Sequence, residues 1–446
     1  MVQTIFNFQF SIFNLILFLP LFGISQTDNP LNEKMLIVSH HSFIPFLSEF
    51  TKAKEKDNID CLIISVDSTD DFNSIKDRID TRYADGFHAD FLLLVGDFEH
   101  VPACKIDEGL SDMYYTLENE NDPVPRMIAG RFPAKTEQEL KTMIDRSINH
   151  RVCSRHVLGI ASEEKSELTQ KRDYEQLRSM GETLLSKGFS QASECFDGSQ
   201  SGNDKDGNPT AEDILDLLDQ GITWINYAGY GSYDGWNTSG FESRHIPRLN
   251  NSEELPIIVS ASCLGGHFAN RECFAEQWLR SSKDGNPTGA RAVIMSSLLS
   301  DWDATLSAMS VVNDNMPSVD SNCRLADLYR LGYLHIVRTM LRPKEAYCWV
   351  LFGDPSIRIY PSSSANAVEN KTLPEKRPLA YPNPASSQLH ISTDGMLRLY
   401  DVHGRTVYEK QSTDVNNTID VSRLSQGVYF LTIENKAGYQ QIIITK

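Results

Sequence analysis

Short runs of apolar residues alternate with amphipathic stretches along the first three quarters of the chain. Between residues 33 and 154 the runs are MLIVSH, CLIISV and FLLLVGD, and between 155 and 360 they are VLGIAS, ITWINYAG, PIIVSASC and ARAVIMSS. Helical patterns such as DYEQLRSMGETLLSKG separate them. Continuous apolar strands separated by helices are typical of buried parallel sheets. The pattern therefore predicts an α/β region in two subdomains, residues 33–154 and 155–360.

The pattern changes after Tyr360. Residues 361–378 are rich in Ser, Asn, Lys and Pro without apolar periodicity, which indicates a linker. From 379 to 446, apolar and polar residues alternate in segments that glycine-bearing turns separate: QLHIS, MLRLYDV, RTVYEK, NTIDVS, GVYFLTIE and YQQIIIT. A period of two in short segments predicts a small antiparallel β-sandwich at residues 379–446.

The N-terminus carries an apolar run from Ile12 to Ile24, which Asn14 and Pro20 interrupt and small residues follow. A membrane-spanning helix needs about 20 apolar residues, so this run favours a cleavable signal peptide at residues 1–25. A membrane anchor is the alternative. The first basic residue is Lys34, so the basic segment that usually opens a signal peptide is missing.

Charge and cysteine content narrow the class of protein. The 446 residues include 42 Lys and Arg against 60 Asp and Glu, a net charge of -18, which disfavours nucleic acid as a partner. The eight cysteines form no CxxC pair, so a zinc site is not indicated. An even number of cysteines in an exported chain permits disulfides, but their spacing gives no connectivity.

Two glycine-bearing loops follow predicted parallel strands, at 226–232 (NYAGYGS) and 260–267 (SASCLGGH). Open parallel sheets collect their active sites at the carboxyl ends of strands. A cysteine there, followed by glycines that let a substrate backbone approach, is a candidate nucleophile, and this is Cys263. The alternative is a cysteine that only packs in the core.

Several segments, in order, resemble the gingipain family of cysteine peptidases over roughly residues 33–360: LLLVGDFEHVPA, SDMYYT, LGIASEE, WINYAGYGS, IVSASCLGGHF, CFAEQWLR, KDGNPTGARAVI and WVLFGDPSIRIY. The resemblance implies a caspase-like fold and hydrolysis of a peptide or protein substrate by a thiol. The tail resembles the C-terminal sorting domain of type IX secretion through YPNPASSQLHI, LRLYDVHGRTVYE and LSQGVYFLTIENKAGYQQIIITK. That resemblance implies export through the periplasm by the type IX machinery, to the outer-membrane surface or the medium.

Residue roles follow from the gingipain resemblance. It implies that Cys263 is the nucleophile, that Glu164 helps orient the catalytic histidine, and that the Gly231 backbone N–H helps hold the oxyanion. Asp173 falls near the acid that binds a basic substrate side chain, and Trp302 near a residue that lines the same pocket. A solvated helical acid and a core tryptophan are the alternatives for this last pair.

The chain departs from the family at Tyr230, where gingipains carry the catalytic histidine. A thiol has a pKa near 8.5, so an imidazole is needed to raise the thiolate fraction and to protonate the leaving amine. A phenol, with a pKa of about 10, can donate a hydrogen bond but cannot accept the thiol's proton at neutral pH. His267, four residues after Cys263, is a candidate substitute base, and His245 is a fainter one.

Two functions remain open on these grounds. The first is a secreted cysteine endopeptidase whose activity is in doubt because of Tyr230. The second is a pseudopeptidase that binds a peptide or protein at the cell surface without cutting it. A structural surface protein would explain the tail but not the retained Cys263 and Gly231. The predicted chemistry requires no cofactor. Gingipains bind calcium, so a structural calcium is considered, although no residue of this chain is assigned as a ligand.

Overall fold

The structure, a computed structural model, describes the chain in segments: residues 32–119, 121–149, 154–317, 322–360, 380–381, 385–391, 395–401, 406–412, 417–425, 427–433 and 440–444. The predicted signal peptide (1–25) and linker (361–378) lie outside these residues. The chain divides into two compact units at residue 365.

The first unit is built on strands that are mostly short and apolar. In chain order they are β1 (Glu33–His40), β2 (Ile59–Val66), β3 (Phe91–Val95), β4 (Cys104–Ile106), β5 (Gly109–Ser111), β6 (Ile128–Phe132), β7 (His156–Ala161), β8 (Gln191–Phe196), β9 (Trp224–Ala228), β10 (Gly231–Ser232), β11 (Gly235–Trp236), β12 (Ile257–Ala261), β13 (Ser282–Lys283), β14 (Asn286–Pro287), β15 (Ala292–Ser296) and β16 (Trp349–Phe352).

Ten of these strands form one sheet in the order β2-β1-β3-β6-β16-β15-β12-β9-β7-β8. Every residue of β3, β6, β7, β9, β12, β15 and β16 is buried, as expected for a sheet covered on both faces. All neighbours pair in parallel except β15 and β16, which are antiparallel. The prediction of a largely parallel α/β region is confirmed. The antiparallel pair reverses the strand direction between the two halves of the sheet.

Helices cover the sheet at α1 (Ser48–Lys56), α2 (Phe72–Ala84), α3 (Glu137–Ile148), α4 (Asp173–Ser186), α5 (Ala211–Asp219), α6 (Phe274–Arg280), α7 (Trp302–Asp314), α8 (Leu325–Arg338) and α9 (Pro343–Tyr347), with 3-10 turns at Ile44–Phe46, Met113–Thr116 and Ser243–Arg248. Asp301 caps α7 by accepting a hydrogen bond from the Ala304 N–H at 3.2 Å, which fixes where Trp302 begins that helix. Among the described residues, no helix combines the length and the apolarity needed to cross a bilayer.

The boundary predicted between residues 154 and 155 crosses a continuous sheet and one hydrophobic core. Strand direction gives a partly different grouping. β16, from the second predicted subdomain, is parallel to β6 of the first and antiparallel to β15 of its own. The two-subdomain division stays a prediction.

The second unit contains β17 (Ala380–Tyr381), β18 (Gln388–Ile391), β19 (Gly395–Asp401), β20 (Thr406–Ser412), β21 (Asn417–Asp420), β22 (Gly427–Ile433) and β23 (Gln440–Ile444). Two antiparallel sheets, β17-β18-β21 and β20-β19-β22-β23, enclose their own core. Alternate residues such as Leu397 and Leu399 of β19 are buried in it, as a period of two requires. The predicted all-β unit is confirmed.

Candidate functional site

The candidate site lies at the carboxyl ends of neighbouring parallel strands. β9 pairs with both β7 and β12, and β12 pairs with β15, in each case in parallel. The loops that follow these strands therefore emerge at one edge of the sheet, by which we mean the edge formed by the carboxyl ends of these strands. The segments that follow these strands carry Glu164, Tyr230, Gly231, Cys263 and His267. Asp173 and Trp302 begin α4 and α7, and His245 lies in the 3-10 turn Ser243–Arg248. The fold therefore brings distant sequence motifs to one edge.

Cys263 stands two residues after β12 and is half-buried. Its loop is fixed by backbone hydrogen bonds, from the Gly265 N–H to the Cys263 carbonyl at 2.8 Å and from the Leu264 N–H to the Leu298 carbonyl at 3.0 Å. Burial raises the pKa of the Cys263 thiol above its ordinary value, the backbone N–H of Ser300 opposes this, and the charge of Glu345 adds to it. The thiol is therefore predominantly protonated at neutral pH.

Gly231 packs against the nucleophile loop. A Cβ added at Gly231 would lie 2.8 Å from Cβ and Oγ of Ser262 and 3.0 Å from the Cys263 carbonyl oxygen, so only glycine fits there. Beneath this contact, the Trp236 indole N–H donates to Ser260 Oγ at 3.1 Å, and Ser260 Oγ lies 2.8 Å from Ser262 Oγ. The two loops form one packed unit beside the sulfur.

Tyr230 projects into solvent at this edge, with 54% of its surface exposed. Its ring meets the Trp302 ring edge-on at a centroid distance of 5.3 Å. Its carbonyl oxygen accepts hydrogen bonds from the Tyr227 hydroxyl at 2.6 Å and from the Asn237 N–H at 3.0 Å. The backbone is thus held firmly while the phenol faces a cleft.

Asp173 and Trp302, predicted to line one pocket, are in direct contact. The Trp302 indole N–H donates to Asp173 Oδ1 at 2.9 Å, and the Ser162 hydroxyl donates to Oδ2 at 2.6 Å. The Asp173 side chain is buried, and burial raises its pKa to about 6 against the opposing effect of these two hydrogen bonds. Each carboxylate oxygen therefore accepts one of these two hydrogen bonds.

A cleft of about 590 Å³ opens beside this pair. It is lined by Glu164, Lys165, Ser166, Glu167, Leu168, Tyr230, Asp301, Trp302, Asp303, Met340 and Arg342. Glu164, the predicted orienting acid, therefore shares the cleft with Tyr230. It also connects to Asp173, because its carbonyl accepts the Asp173 N–H at 2.9 Å.

The two candidate substitute bases lie in different settings. His267 Nδ1 lies 2.8 Å from the Ser297 carbonyl oxygen, so Nδ1 donates and the neutral ring keeps Nε2 as an acceptor. Among the described residues, no hydrogen bond joins this imidazole to the Cys263 thiol. His245 Nδ1 accepts the Glu242 N–H at 2.9 Å and is occupied in closing a 3-10 turn.

Two residues, one that acts on the nucleophile and one that lines the cleft, are missing from the sequence-based site. Glu345, on α9, affects the Cys263 pKa, and the Ser300 hydroxyl lies 3.4 Å from its carboxylate. Arg342, just before α9, pairs with Asp301 at 3.2 Å. No motif marks these residues, because α9 reaches the site only through the pairing of β16 with β15.

A structural calcium stays a prediction in the described residues. None of their His, Cys, Asp or Glu side chains form a group of three or more that could hold a metal ion, so the expected calcium has no assigned ligand set. Cys61, Cys195, Cys263, Cys273 and Cys348 are free thiols.

Comparison with known proteins supplies the family context. The profile of peptidase family C25 matches residues 28–360, and that of a secretion system C-terminal sorting domain matches residues 379–445. Gingipain R2 and gingipain R1 of Porphyromonas gingivalis are each 29% identical over 308 residues, which is 64% of this chain. The match covers only 40% and 30% of those two relatives, so the chain matches less than half of their length.

Two solved structures, the first of them from Porphyromonas gingivalis, share the fold. The complex of RgpB pro- and mature domains superposes with a TM-score of 0.68 at 24% identity and covers 92% of this chain and all of that one. The Arg specific cysteine proteinase gingipain R gives 0.68 at 23%, covering 94% of this chain and 99% of that one. At this identity the likeness concerns the fold alone.

Proposed function

The chain belongs to peptidase family C25 and ends in a secretion sorting domain, and from that premise we propose that its cleft binds a peptide segment carrying a basic side chain, which Cys263 cleaves slowly at best. The protein is secreted, to the cell surface or the medium. Handling by the type IX machinery follows from the sorting domain. Attachment to the surface is part of the proposal.

One observation carries the proposal. The group exposed in the cleft at the family's histidine position is the phenol of Tyr230, beside a thiol whose pKa is raised. Proton transfer by a positioned acid or base typically contributes 10²–10⁴-fold to a rate, and a phenol does not supply it to a thiol. Peptide binding does not need that proton transfer, so the cleft can still bind a peptide even though cleavage is slow.

The preference for a basic side chain rests on Asp173. Its carboxylate is fully buried behind Trp302, which lines the cleft, so a guanidinium or an ammonium would reach it by displacing the Trp302 indole N–H. A relative with this fold is described as an Arg specific cysteine proteinase. We extend that preference to this chain as part of the proposal.

A second candidate, an active cysteine endopeptidase with His267 as its base, is favoured by one observation. The Ser297 carbonyl holds His267 Nδ1, which leaves Nε2 as the acceptor on the loop that also carries Cys263. A carbonyl-oriented imidazole is the form in which a histidine accepts a proton.

The test measures binding and turnover separately. Fluorescent peptides with Arg, Lys or norleucine at the central position are titrated into the Cys263→Ala protein, and the same peptides are incubated with the unmodified protein to detect cleavage. The proposal predicts tighter binding of the Arg and Lys peptides and slow or undetectable cleavage. Equal binding of the norleucine peptide would refute it. Efficient cleavage that His267→Ala abolishes would support the second candidate instead.

A further inference from the structure

Exposed apolar side chains gather around the cleft. In the first unit, the described large hydrophobic residues that remain exposed are Leu168 (58%), Leu185 (39%), Tyr230 (54%), Leu299 (65%) and Leu341 (69%). All except Leu185 lie on loops at the edge of the sheet that carries the cleft. Single exposed leucines are ordinary, but several around one depression mark an interaction surface.

These four residues, which we call the apolar rim, are placed by their neighbours. Leu168 and Tyr230 line the cleft directly. Leu341 stands between Met340 and Arg342, which also line it. The apolar rim therefore follows the mouth of the cleft.

Leu299 extends the apolar rim toward the nucleophile. The carbonyl of the preceding residue, Leu298, accepts the Leu264 N–H at 3.0 Å, and the N–H of the following residue, Ser300, acts on the Cys263 thiol. A chain lying across the cleft toward Cys263 would thus meet apolar side chains beyond the pocket itself.

The backbone at Leu341 gives independent support. Its φ is +56°, in the left-handed region that glycine and asparagine adopt more readily than leucine. A leucine that is both strained and 69% exposed contributes little to folding. Its apolar side chain is better explained by a partner.

Charge identifies the kind of partner. The cleft is lined by two basic residues, Lys165 and Arg342, against four acids: Glu164, Glu167, Asp301 and Asp303. The whole chain carries a net charge of -18. A second copy of the chain or an anionic lipid surface would be repelled, whereas a basic peptide would be attracted.

We infer that the cleft and its apolar rim bind an extended peptide segment in which a basic side chain is flanked on both sides by large apolar side chains. The inference rests on the proposed function, because it places the basic side chain in the same cleft. It adds the flanking positions as a requirement of the ligand. In an extended main chain, the side chains two residues before and two residues after the basic one lie on the same face as it does and so toward the apolar rim.

The experiment uses the full chain with Cys263→Ala, so that catalysis plays no part. Fluorescence anisotropy compares a leucine-flanked peptide, with leucine two residues before and two residues after Arg, and a serine-flanked peptide with serine at those two positions. Leu299→Asn and Leu341→Asn should each weaken binding of the leucine-flanked peptide by about fivefold to tenfold, the effect of removing roughly half of a buried leucine from an interface. Binding of the serine-flanked peptide should not change. Leu185→Asn, at the far end of α4, is the matched control and should change neither.

The outcomes separate this inference from the proposed function. Equal affinity for both Arg peptides overturns the inference and leaves the proposed function intact, whereas failure to bind either overturns both. Urea midpoints show whether each variant is folded, and Leu341→Asn should keep its midpoint because asparagine tolerates this φ. Sedimentation tests whether the wild-type protein forms a dimer, and flotation tests whether it binds neutral or anionic vesicles. If Leu299→Asn and Leu341→Asn abolish such a dimer or such vesicle binding, the apolar rim binds a second copy or lipid and the inference is wrong.

Discussion

At the scale of single residues, Cys263 and Tyr230 decide whether the protein can cleave a peptide bond. The sequence alone indicates both, one as a cysteine after a predicted strand and the other as a departure from a family motif. The raised pKa of the thiol could not be predicted, because it depends on burial and on Glu345, which is remote in sequence. The sequence is therefore enough to identify Cys263 as a candidate, but the shift of its pKa can be derived only from the three-dimensional structure.

The raised pKa predicts slow alkylation of Cys263 at neutral pH. Only the thiolate reacts with iodoacetamide, so the rate should climb steadily through the alkaline range. Glu345→Gln removes a negative charge that disfavours the thiolate and should shift the rate profile to lower pH. Mass spectrometry of the labelled peptide, with Cys263→Ala as background, measures this. A profile that levels off near neutral pH would contradict it.

The pKa of Asp173, about 6, predicts that binding of an Arg peptide depends on pH. A cation is held by the ionised carboxylate, so affinity should rise from pH 5 to pH 7 and then level off. At pH 5 only about a tenth of the groups are ionised, which weakens binding about tenfold relative to pH 7. Calorimetry on the Cys263→Ala protein measures this. Asp173→Asn should bind weakly and without this pH dependence, and an unchanged profile in that variant would assign the effect elsewhere.

At the scale of elements, apolar periodicity predicts the strands that carry the site, because buried parallel strands are continuous apolar runs. It does not predict β8, an edge strand in which only the last two of the six residues QASECF are buried. It also does not indicate α9, a five-residue helix too short to show a period. Elements of this kind are fixed by tertiary contacts rather than by pattern.

The close packing of Gly231 against Ser262 predicts a local stability effect. Gly231→Ala would force a Cβ to within 2.8 Å of Ser262 and should lower the free energy of unfolding by about 1–3 kcal/mol. Gly181→Ala is the matched control. Gly181 lies inside α4, and a Cβ added there would lie at an ordinary 3.6 Å from the Ala192 side chain. The substitution should therefore be neutral or should raise the free energy of unfolding by up to about 1 kcal/mol. Urea unfolding compares the two, and equal effects would refute the packing argument.

At the scale of the whole molecule, one antiparallel pair decides which strands contribute to the site. Because β16 runs against β15, the carboxyl ends of β1, β2, β3 and β6 lie at the opposite edge from those of β7, β9, β12 and β15. Sequence periodicity carries no information on strand direction. The α/β class and the loops of the site could be predicted from the chain, but the reversal could not.

Separate cores predict that the sorting domain can be removed without unfolding the rest. Each unit buries its own hydrophobic cluster, so deletion of residues 379–446 should leave the thermal midpoint of the first unit unchanged. The same deletion should leave the protein in the periplasm, because the sorting domain directs secretion across the outer membrane. Calorimetry and cell fractionation measure the two effects. Surface delivery of the truncated chain would contradict this assignment.

The central claim is that a phenol has replaced the general base of a cysteine peptidase while the binding cleft remains. It is tested most directly by the kcat/KM for an Arg reporter peptide in the unmodified protein and in Tyr230→His, with Cys263→Ala in each background. The account predicts that Tyr230→His raises kcat/KM by about 10²–10⁴-fold and that Cys263→Ala removes the gain. Efficient cleavage by the unmodified protein that Tyr230→His does not increase would contradict it.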